Sequence, residues 1–326
     1  MLAICLCMLT ACSPRNTKAF TQGDKISVVT TIYPVYDFTC HVAGDKAEII
    51  NLVPAGVEPH DFELTTGDMQ LLEQADIFIY NGADMEHFVD KTLKSVSNEN
   101  LVVVECAKGL ELIEAEHSHS HDDEENEYEE DNLGKQAEVS KEQSEDAHDH
   151  EGESLDPHTW LSIDNAIKET EAIKDALVAF DKDNASYYEN NFNAYKEELE
   201  ELKALYEAEL SGLSKDTIVV AHEAFGYLCA EYDLHQEGIE GLTAESEPDS
   251  ARMKEIIDFC REQEVKVIFF EELVSPKVAE AIASEIGAET MVLNPIEGLT
   301  AEQEDEGLDY IGLMKQNLEA LKKALQ

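Results

Sequence analysis

Three histidines and one glutamate, spread over most of the chain, have the side-chain chemistry of a transition-metal site. They are His60, His158, His222 and Glu297. Three neutral imidazoles and one carboxylate form a borderline-to-hard ligand set that suits tetrahedral Zn²⁺. We therefore predict that these four residues bind Zn²⁺. Because the ligands must be deprotonated to bind, affinity should fall as the pH drops through the histidine range.

A second group of histidines lies in an acidic run between residues 111 and 156. The run carries 19 Asp and Glu against two Lys and has almost no apolar side chains, so it cannot bury enough surface to offset its ordering entropy. We predict a disordered His/acidic loop over residues 115–154 that collects metal ions weakly. An inert solvated loop is the alternative. The histidines of the weak site would be His117, His119, His121, His148 and His150.

The composition limits the classes of partner. The 326 residues suffice for two domains, and the net charge of −49 argues against nucleic-acid binding, which depends on Lys and Arg. The acidic run contributes about −17 of that charge, so most of it lies elsewhere. Long-range attraction of cations and simple solubility both account for the excess.

The first 12 residues are apolar but too short to span a bilayer. They end in Leu9-Thr10-Ala11-Cys12, which resembles the signal of bacterial lipoproteins, in which the cysteine is lipidated. We predict an extracytoplasmic protein that is attached to the cell membrane only through a lipid on Cys12, with residues 13–24 as a tether. A buried first strand is the alternative.

Four cysteines lie beyond this segment, at positions 40, 106, 229 and 260. None has the C-x-x-C spacing of a zinc ribbon or a thioredoxin-like site. Disulfides and buried free thiols both remain open for them.

Short apolar, β-branched runs alternate with amphipathic stretches, which is the pattern of parallel α/β sheets. We predict two lobes, over residues 25–162 and 213–326, each with a mainly parallel sheet flanked by helices. The predicted strands are Ile26–Ile32, Ala47–Val53, Ile77–Tyr80, Leu101–Glu105, Thr217–Ala221, Gln236–Ile239, Val265–Phe270 and Thr290–Leu293.

Connecting helices are predicted over residues 163–212, with a break at residues 181–184. The second of them would be a long spine helix, whose apolar side chains recur at i+3 and i+4. The predicted buried face is Tyr188, Phe192, Tyr195, Leu199, Leu202 and Leu205.

This fold would bring the four candidate ligands together. Three of them, His60, His222 and Glu297, follow predicted strands, and ligands in open α/β sheets bind outside the carboxyl ends of strands. His158 precedes the first connecting helix. Since two candidates come from each half of the chain, we predict a metal site in the cleft between the lobes.

The order of several motifs resembles a known family, the zinc-binding solute-binding lipoproteins of bacterial ABC importers, which belong with the manganese receptors to one metal-receptor family. The matching segments are Glu58-Pro-His-Asp-Phe-Glu63, residues 72–82, Asp156-Pro-His-Thr-Trp160, His222-Glu-Ala-Phe-Gly-Tyr227, Glu245-Ser-Glu-Pro248 and Phe269-Phe-Glu-Glu272. The His/acidic insertion before His158 also resembles zinc-type members.

The resemblance implies a two-lobed receptor, without enzymatic activity, that passes one metal ion from its cleft to a membrane permease, and we expect a monomer. It carries the family's three metal histidines onto His60, His158 and His222, and Glu297 fills a fourth position that varies in the family. Manganese receptors tend to have Glu at the third position, where this chain has His222, which favours zinc.

Three alternatives remain: a manganese receptor, a metal sink or adhesin that serves no transporter, and a zinc hydrolase. The hydrolase motif His-Glu-x-x-His fails here, because Gly226 stands in place of its second histidine.

Overall fold

Two four-stranded parallel sheets form the framework of the protein. The computed structural model describes residues 19–21, 23–114, 155–242 and 248–326. The first sheet has the order β2-β1-β3-β4 and the second the order β6-β5-β7-β8, with every pairing parallel. The strands are β1 Ile26–Thr30, β2 Ala47–Asn51, β3 Ile77–Tyr80, β4 Val102–Glu105, β5 Thr217–Val220, β6 His235–Gly238, β7 Val267–Phe270 and β8 Glu289–Val292.

All eight predicted strands are present, with ends that shift by one or two residues, and the predicted α/β fold is confirmed. The helices are α1 Tyr33–Ala43, α2 Thr66–Gln74, α3 Val89–Leu93, α4 Ile163–Phe180, α5 Ala185–Leu210, α6 Gly226–Glu231, α7 Ser250–Glu262, α8 Lys277–Ile286, α9 Ala301–Glu306 and α10 Tyr310–Leu325. None of the helices in the described ranges is both long and apolar enough to cross a bilayer.

Successive residues of each strand point to opposite faces of its sheet, and both faces are buried. In β1, Val28 belongs to a core cluster shared with α1, α4 and α5, while Val29 faces a second cluster that contains Leu72 of α2. In β5, Ile218 lies in the shared cluster and Val219 in a third cluster with α7 and α8. Since successive strand residues point to opposite faces, helices must cover both sides. The shared cluster runs continuously through both lobes.

The long helix α5, with its 26 residues, links the lobes as a spine. It packs against α1 of the first lobe and α10 of the second. Its buried face follows the predicted apolar positions as far as Leu202. The prediction for Leu205 is wrong, because Leu205 is exposed, while Tyr206 is buried and donates a hydrogen bond from its hydroxyl to the Met314 carbonyl of α10 at 2.6 Å.

All four cysteines beyond the N-terminal segment are free thiols. Cys106, Cys229 and Cys260 are buried and Cys40 is half-buried. Free cysteine behaves as a small hydrophobic side chain in such positions. Disulfides and free thiols are the two alternatives for these four cysteines, and the structure has free thiols.

The α4 residue Glu169 is a carboxyl group enclosed in the shared core. Its side chain is fully buried, and within the described part of the chain neither of its oxygens has a hydrogen-bond partner. Burial raises the pKa of Glu169 to about 8. The charge of Glu86 adds to this rise, and the nearby Thr159 hydroxyl, which donates to Asn81 Oδ1 instead, opposes it only in part. An unpaired buried carboxylate is costly, so this residue is held as the neutral acid.

Glu169→Gln should increase stability over the wild type in a pH-dependent manner. The folded protein keeps the Glu169 proton up to a pH of about 8, whereas the unfolded chain loses it near 4.5, the ordinary pKa. The stability that this acid contributes below 4.5 is therefore lost as the pH rises towards 8. Chemical denaturation of the metal-free protein should show an advantage of the variant that grows from pH 5 to pH 8 and then levels off.

The control is Glu171→Gln on the same helix, because the side chain of Glu171 is about half exposed, at 53%. Parallel pH profiles for wild type and Glu169→Gln would contradict the assignment of Glu169 as a buried neutral acid.

Candidate metal centre

The structure brings the four sequence-predicted ligands together between the lobes. His60 lies in the loop after β2, His158 just before a 3₁₀ turn that leads into α4, His222 after β5, and Glu297 after β8. Their potential ligand atoms all lie within 4.8 Å of one another, and in the described ranges no other His, Cys, Asp or Glu residues form such a group. The side chains of all four are at most 5% exposed.

The ligand atoms of these residues converge on one point. Glu297 Oε1 lies 3.0 Å from His158 Nε2, 3.4 Å from His222 Nε2 and 3.7 Å from His60 Nε2. The Nε2 atoms of His158 and His222 are 3.3 Å apart. Four atoms that carry lone pairs thus surround a space large enough for a single ion.

Two buried carboxylates orient two of the rings. Asp156 Oδ1 lies 2.8 Å from His158 Nδ1, and Glu271 Oε1 lies 2.6 Å from His222 Nδ1. A carboxylate accepts a hydrogen bond from Nδ1–H, so each neutral ring presents the lone pair of its Nε2 to the common point. Carboxylate–imidazole pairs of this kind fix the ring orientation of metal-binding histidines in proteins.

The role of Glu271 is not predicted by the sequence analysis, although a signal for it exists. Glu271 directly follows β7 at the carboxyl end of the second sheet, so the rule that identified His222 and Glu297 applies to it as well. Two other acidic residues lie close to the candidate ligands in sequence. Glu58 accepts a hydrogen bond from the backbone N–H of His60 at 3.3 Å and its carboxyl group is hydrogen-bonded to the Glu297 side chain, so burial and Glu297 raise the pKa of Glu58 to about 9. Glu223 lies over Gly238 of β6.

The electrostatics of the group favour positive charge at its centre. Burial by itself lowers the pKa of His158, but its hydrogen bonds to Asp156 and Glu297 outweigh this and raise the pKa overall. His222 shows the same balance, with Glu271 and Glu297 raising its pKa well above the ordinary value. Burial raises the pKa of Glu297, but the three histidines hold it well below the ordinary value. A divalent cation would supply the same compensation to the buried carboxylate.

His60 Nε2 is a polar atom without a partner. It is buried, and no hydrogen bond reaches it from the described part of the chain. Buried polar atoms are rarely left unsatisfied, so this nitrogen points to a ligand. Of the four residues, His60 also lines an open cavity of about 820 Å³ in the first lobe.

The turn that carries His158 is anchored to the loop after β3. Asn81 Nδ2 donates to the Pro157 carbonyl at 2.9 Å, and Asn81 Oδ1 accepts from the Thr159 hydroxyl at 3.2 Å. The backbone N–H groups of Asn81 and Gly82 both donate to the buried carboxylate of Glu86 at 2.9 Å. This network holds both residues that flank His158.

The loop that carries Glu297 is held in a strained form. Ile296, which is fully buried, has a φ of 61°, an uncommon left-handed value for a β-branched residue. Its N–H donates to Asn294 Oδ1 at 2.7 Å. Trp160 Nε1 donates to the Pro295 carbonyl at 2.7 Å, and the Tyr33 N–H donates to the Glu297 carbonyl at 3.0 Å. Contacts from the first lobe therefore fix the loop beside the candidate ligand.

The remaining sequence-predicted site residues lie outside the described residues. They are Cys12 and the five histidines His117, His119, His121, His148 and His150. The two ends of the His/acidic segment are described: Glu114 and Leu155 form an antiparallel bridge, and the Asp156 N–H donates to the Ile113 carbonyl at 2.9 Å. The segment therefore leaves and rejoins the fold beside Asp156. Weak metal binding by it stays a prediction.

Comparison with known proteins places the chain in a family. Residues 28–324 match the family model described as zinc-uptake complex component A, periplasmic. The high-affinity zinc uptake system protein ZnuA of Bacillus subtilis is 41% identical over 327 residues, which cover 100% of this chain and 96% of that protein.

Two further comparisons involve AdcA of Streptococcus pneumoniae. This zinc-binding lipoprotein is 36% identical over 322 residues, and the match covers 98% of this chain but 59% of AdcA, so the chain spans about three fifths of that relative. The crystal structure of the Zn(II)-bound ZnuA-like domain of AdcA matches with a TM-score of 0.74 at 34% identity, over 92% of this chain and 99% of that domain. The fold, the match over residues 28–324 and these identities show that the chain belongs to the family of zinc-uptake complex component A.

Proposed function

We propose that this protein is an extracytoplasmic receptor that captures Zn²⁺ as cargo and delivers it to an ABC permease for uptake. The ion would be held by His60, His158 and His222 through Nε2 and by one carboxylate oxygen of Glu297. The names of the relatives support zinc as the cargo, since they describe a high-affinity zinc uptake protein and a zinc-binding lipoprotein.

The observation that carries the proposal is the spacing of the four ligand atoms. Ligands at 2.0–2.1 Å from a tetrahedral zinc lie about 3.4 Å from one another. Four of the six separations among these atoms are 3.0, 3.3, 3.4 and 3.7 Å, and all six are within 4.8 Å. The cluster therefore needs only small adjustments to become a zinc shell.

The donor set favours zinc over manganese. Three of the four candidate ligands are imidazoles, whereas Mn²⁺ suits oxygen ligands and octahedral geometry. Nδ1 of His158 is bonded to Asp156 and Nδ1 of His222 is bonded to Glu271, which leaves Nε2 of each ring to bind the metal. A manganese receptor of the same family is therefore the weaker candidate.

The same geometry favours transport over hydrolysis. A catalytic zinc keeps one position open for water, and four protein ligands would close the shell. The residue four positions after His222 is Gly226, so the sequence has no second histidine for a hydrolase helix. We therefore infer a binding protein without a catalytic step.

The sequence and the family description support the proposed attachment and the proposed partner. Leu9-Thr10-Ala11-Cys12 supports lipid attachment at Cys12, and the AdcA relative is named a lipoprotein. A permease subunit would be the receiving partner, because the family description places its members in a zinc-uptake complex. We expect the receptor to act as a monomer, held at the membrane by its lipid alone.

Replacing His60, His158 and His222 by Ala should abolish tight zinc binding, because it removes three of the four proposed ligands. Titration calorimetry with a competing chelator would separate the tight site from weak binding elsewhere. The matched control is the double variant His87→Ala with His235→Ala, since both residues are exposed and lie outside the cluster. Retention of wild-type affinity in the triple variant, or a preference of the wild type for Mn²⁺ in competition, would contradict the proposed site.

Glu271→Ala should weaken zinc binding about 10- to 100-fold, the usual cost of losing a carboxylate that orients a metal-bound histidine. Glu271→Gln should lose less, because its amide oxygen can still accept a hydrogen bond from His222 Nδ1–H. The same competition assay measures both, with Glu280→Ala on the exposed side of α8 as the control. Equal affinities for Glu271→Ala and wild type would show that Glu271 does not orient His222.

Deletion of the gene should slow growth when zinc is chelated, and the wild-type gene should restore it. The triple histidine variant should fail to restore growth, because the permease would receive no zinc. Growth curves with added Zn²⁺ or Mn²⁺ distinguish the cargo. Rescue by Mn²⁺ alone would indicate a manganese receptor, and a deletion without any defect would indicate a sink or adhesin that serves no transporter.

A further inference from the structure

The first two residues of α6 lie against the turn that carries His158. Gly226 and Tyr227 follow His222 by four and five residues, so they belong to the segment that carries the histidine of the second lobe. Their neighbour across the cleft is Asp156, which orients the histidine of the first lobe. The segments that carry two of the proposed ligands are therefore in direct contact.

Gly226 leaves no room for a side chain. A Cβ atom at this position would lie 2.5 Å from Asp156 Oδ2, closer than real Cβ contacts. The Asp156 carboxylate cannot move aside without consequence, since its other oxygen accepts from the His158 N–H at 2.9 Å and contacts His158 Nδ1 at 2.8 Å. It is also only 2% exposed, so the surrounding protein confines it.

Tyr227 holds the backbone of the same residue. Its hydroxyl donates to the Asp156 carbonyl at 3.0 Å and accepts from the Ile113 N–H at 3.0 Å. The ring is buried, with 5% of its surface exposed. One hydroxyl therefore ties Asp156 and Ile113 of the first lobe to α6 of the second.

We propose that Gly226 and Tyr227 are positioning residues for metal binding, which set the place of His158 through Asp156. The missing side chain at Gly226 makes room for the Asp156 carboxylate, and the Tyr227 hydroxyl fixes the backbone behind it. This arrangement keeps His158 Nε2 at 3.3 Å from His222 Nε2. The same contact explains why the residue four positions after His222 is a glycine, where the hydrolase motif His-Glu-x-x-His has its second histidine. The inference rests on the proposed zinc function.

The main test compares Gly226→Ala with Gly241→Ala. Nothing lies within 4 Å of a Cβ built at Gly241, so that variant controls for the loss of a glycine in the same region. Gly226→Ala should weaken zinc binding at least tenfold, and Gly241→Ala should bind as the wild type does. In the Co²⁺-substituted protein, the visible absorption of the tetrahedral ion should change for Gly226→Ala alone. Tyr227→Phe should weaken binding by a smaller factor.

A double-mutant cycle with Asp156→Ala distinguishes positioning from a general loss of stability. Asp156→Ala alone should weaken binding about 10- to 100-fold. If Gly226 acts through the Asp156 carboxylate, adding Gly226→Ala to Asp156→Ala should cause no further loss, because the group that the new methyl would displace is gone. Should Gly226→Ala alone fail to fold, the double variant should restore folding for the same reason.

Two results would overturn the inference: wild-type affinity in Gly226→Ala, or losses from Gly226→Ala and Asp156→Ala that multiply as independent effects. Failure of the wild type and of Gly241→Ala to bind zinc would instead refute the proposed function. The two failures are therefore distinguishable in one set of proteins.

Discussion

The buried carboxylate of Glu297 is the constraint on which the rest of the structure depends. This carboxylate is only 2% exposed, so its charge needs compensation, and the Nε2 atoms of three histidines lie within 3.7 Å of its Oε1. Two of those histidines are in turn oriented by Asp156 and Glu271. Three carboxylates thus lie around this group of atoms, and a divalent cation bound there would satisfy the nitrogens and neutralise the negative charge together.

The architecture serves this convergence. The two sheets share the same strand order, and their carboxyl ends supply His60, His222, Glu271 and Glu297. The lobes are also joined beside the site, where Trp160 Nε1 donates to the Pro295 carbonyl and the Tyr310 hydroxyl donates to the Trp160 carbonyl at 2.6 Å. A continuous core along α5 adds apolar packing to these hydrogen bonds. Hydrogen bonds and apolar packing between the lobes therefore hold candidate ligands from distant parts of the chain on one framework.

Much of this could be predicted from local patterns. Short apolar, β-branched runs identified all eight strands, and the rule for the ends of parallel strands selected His60, His222 and Glu297. The prediction was wrong where the identity of a buried residue on α5 depended on contacts with another helix. Leu205 and Tyr206 lie three and four positions after Leu202, so helical spacing permits either on the buried face. Tyr206 takes the buried position, because its hydroxyl donates a hydrogen bond to the Met314 carbonyl and a buried hydroxyl needs such an acceptor.

The sequence by itself determined the elements, the two-lobed fold and the four candidate ligands, because hydrophobic periodicity and residue chemistry are local properties. Tertiary structure decided which carboxylate faces which ring: Glu271 bonds His222 and Glu297 meets three histidines, while the Glu58 carboxyl group bonds the Glu297 side chain and no imidazole of the described residues. Tertiary structure also explains Gly226, because the Asp156 carboxylate occupies the space that a side chain at this position would need. The physical reason is that hydrogen bonds and steric exclusion act between residues 49 to 139 positions apart here, as from His222 to Glu271 and from His158 to Glu297, and no spacing along the chain encodes those meetings.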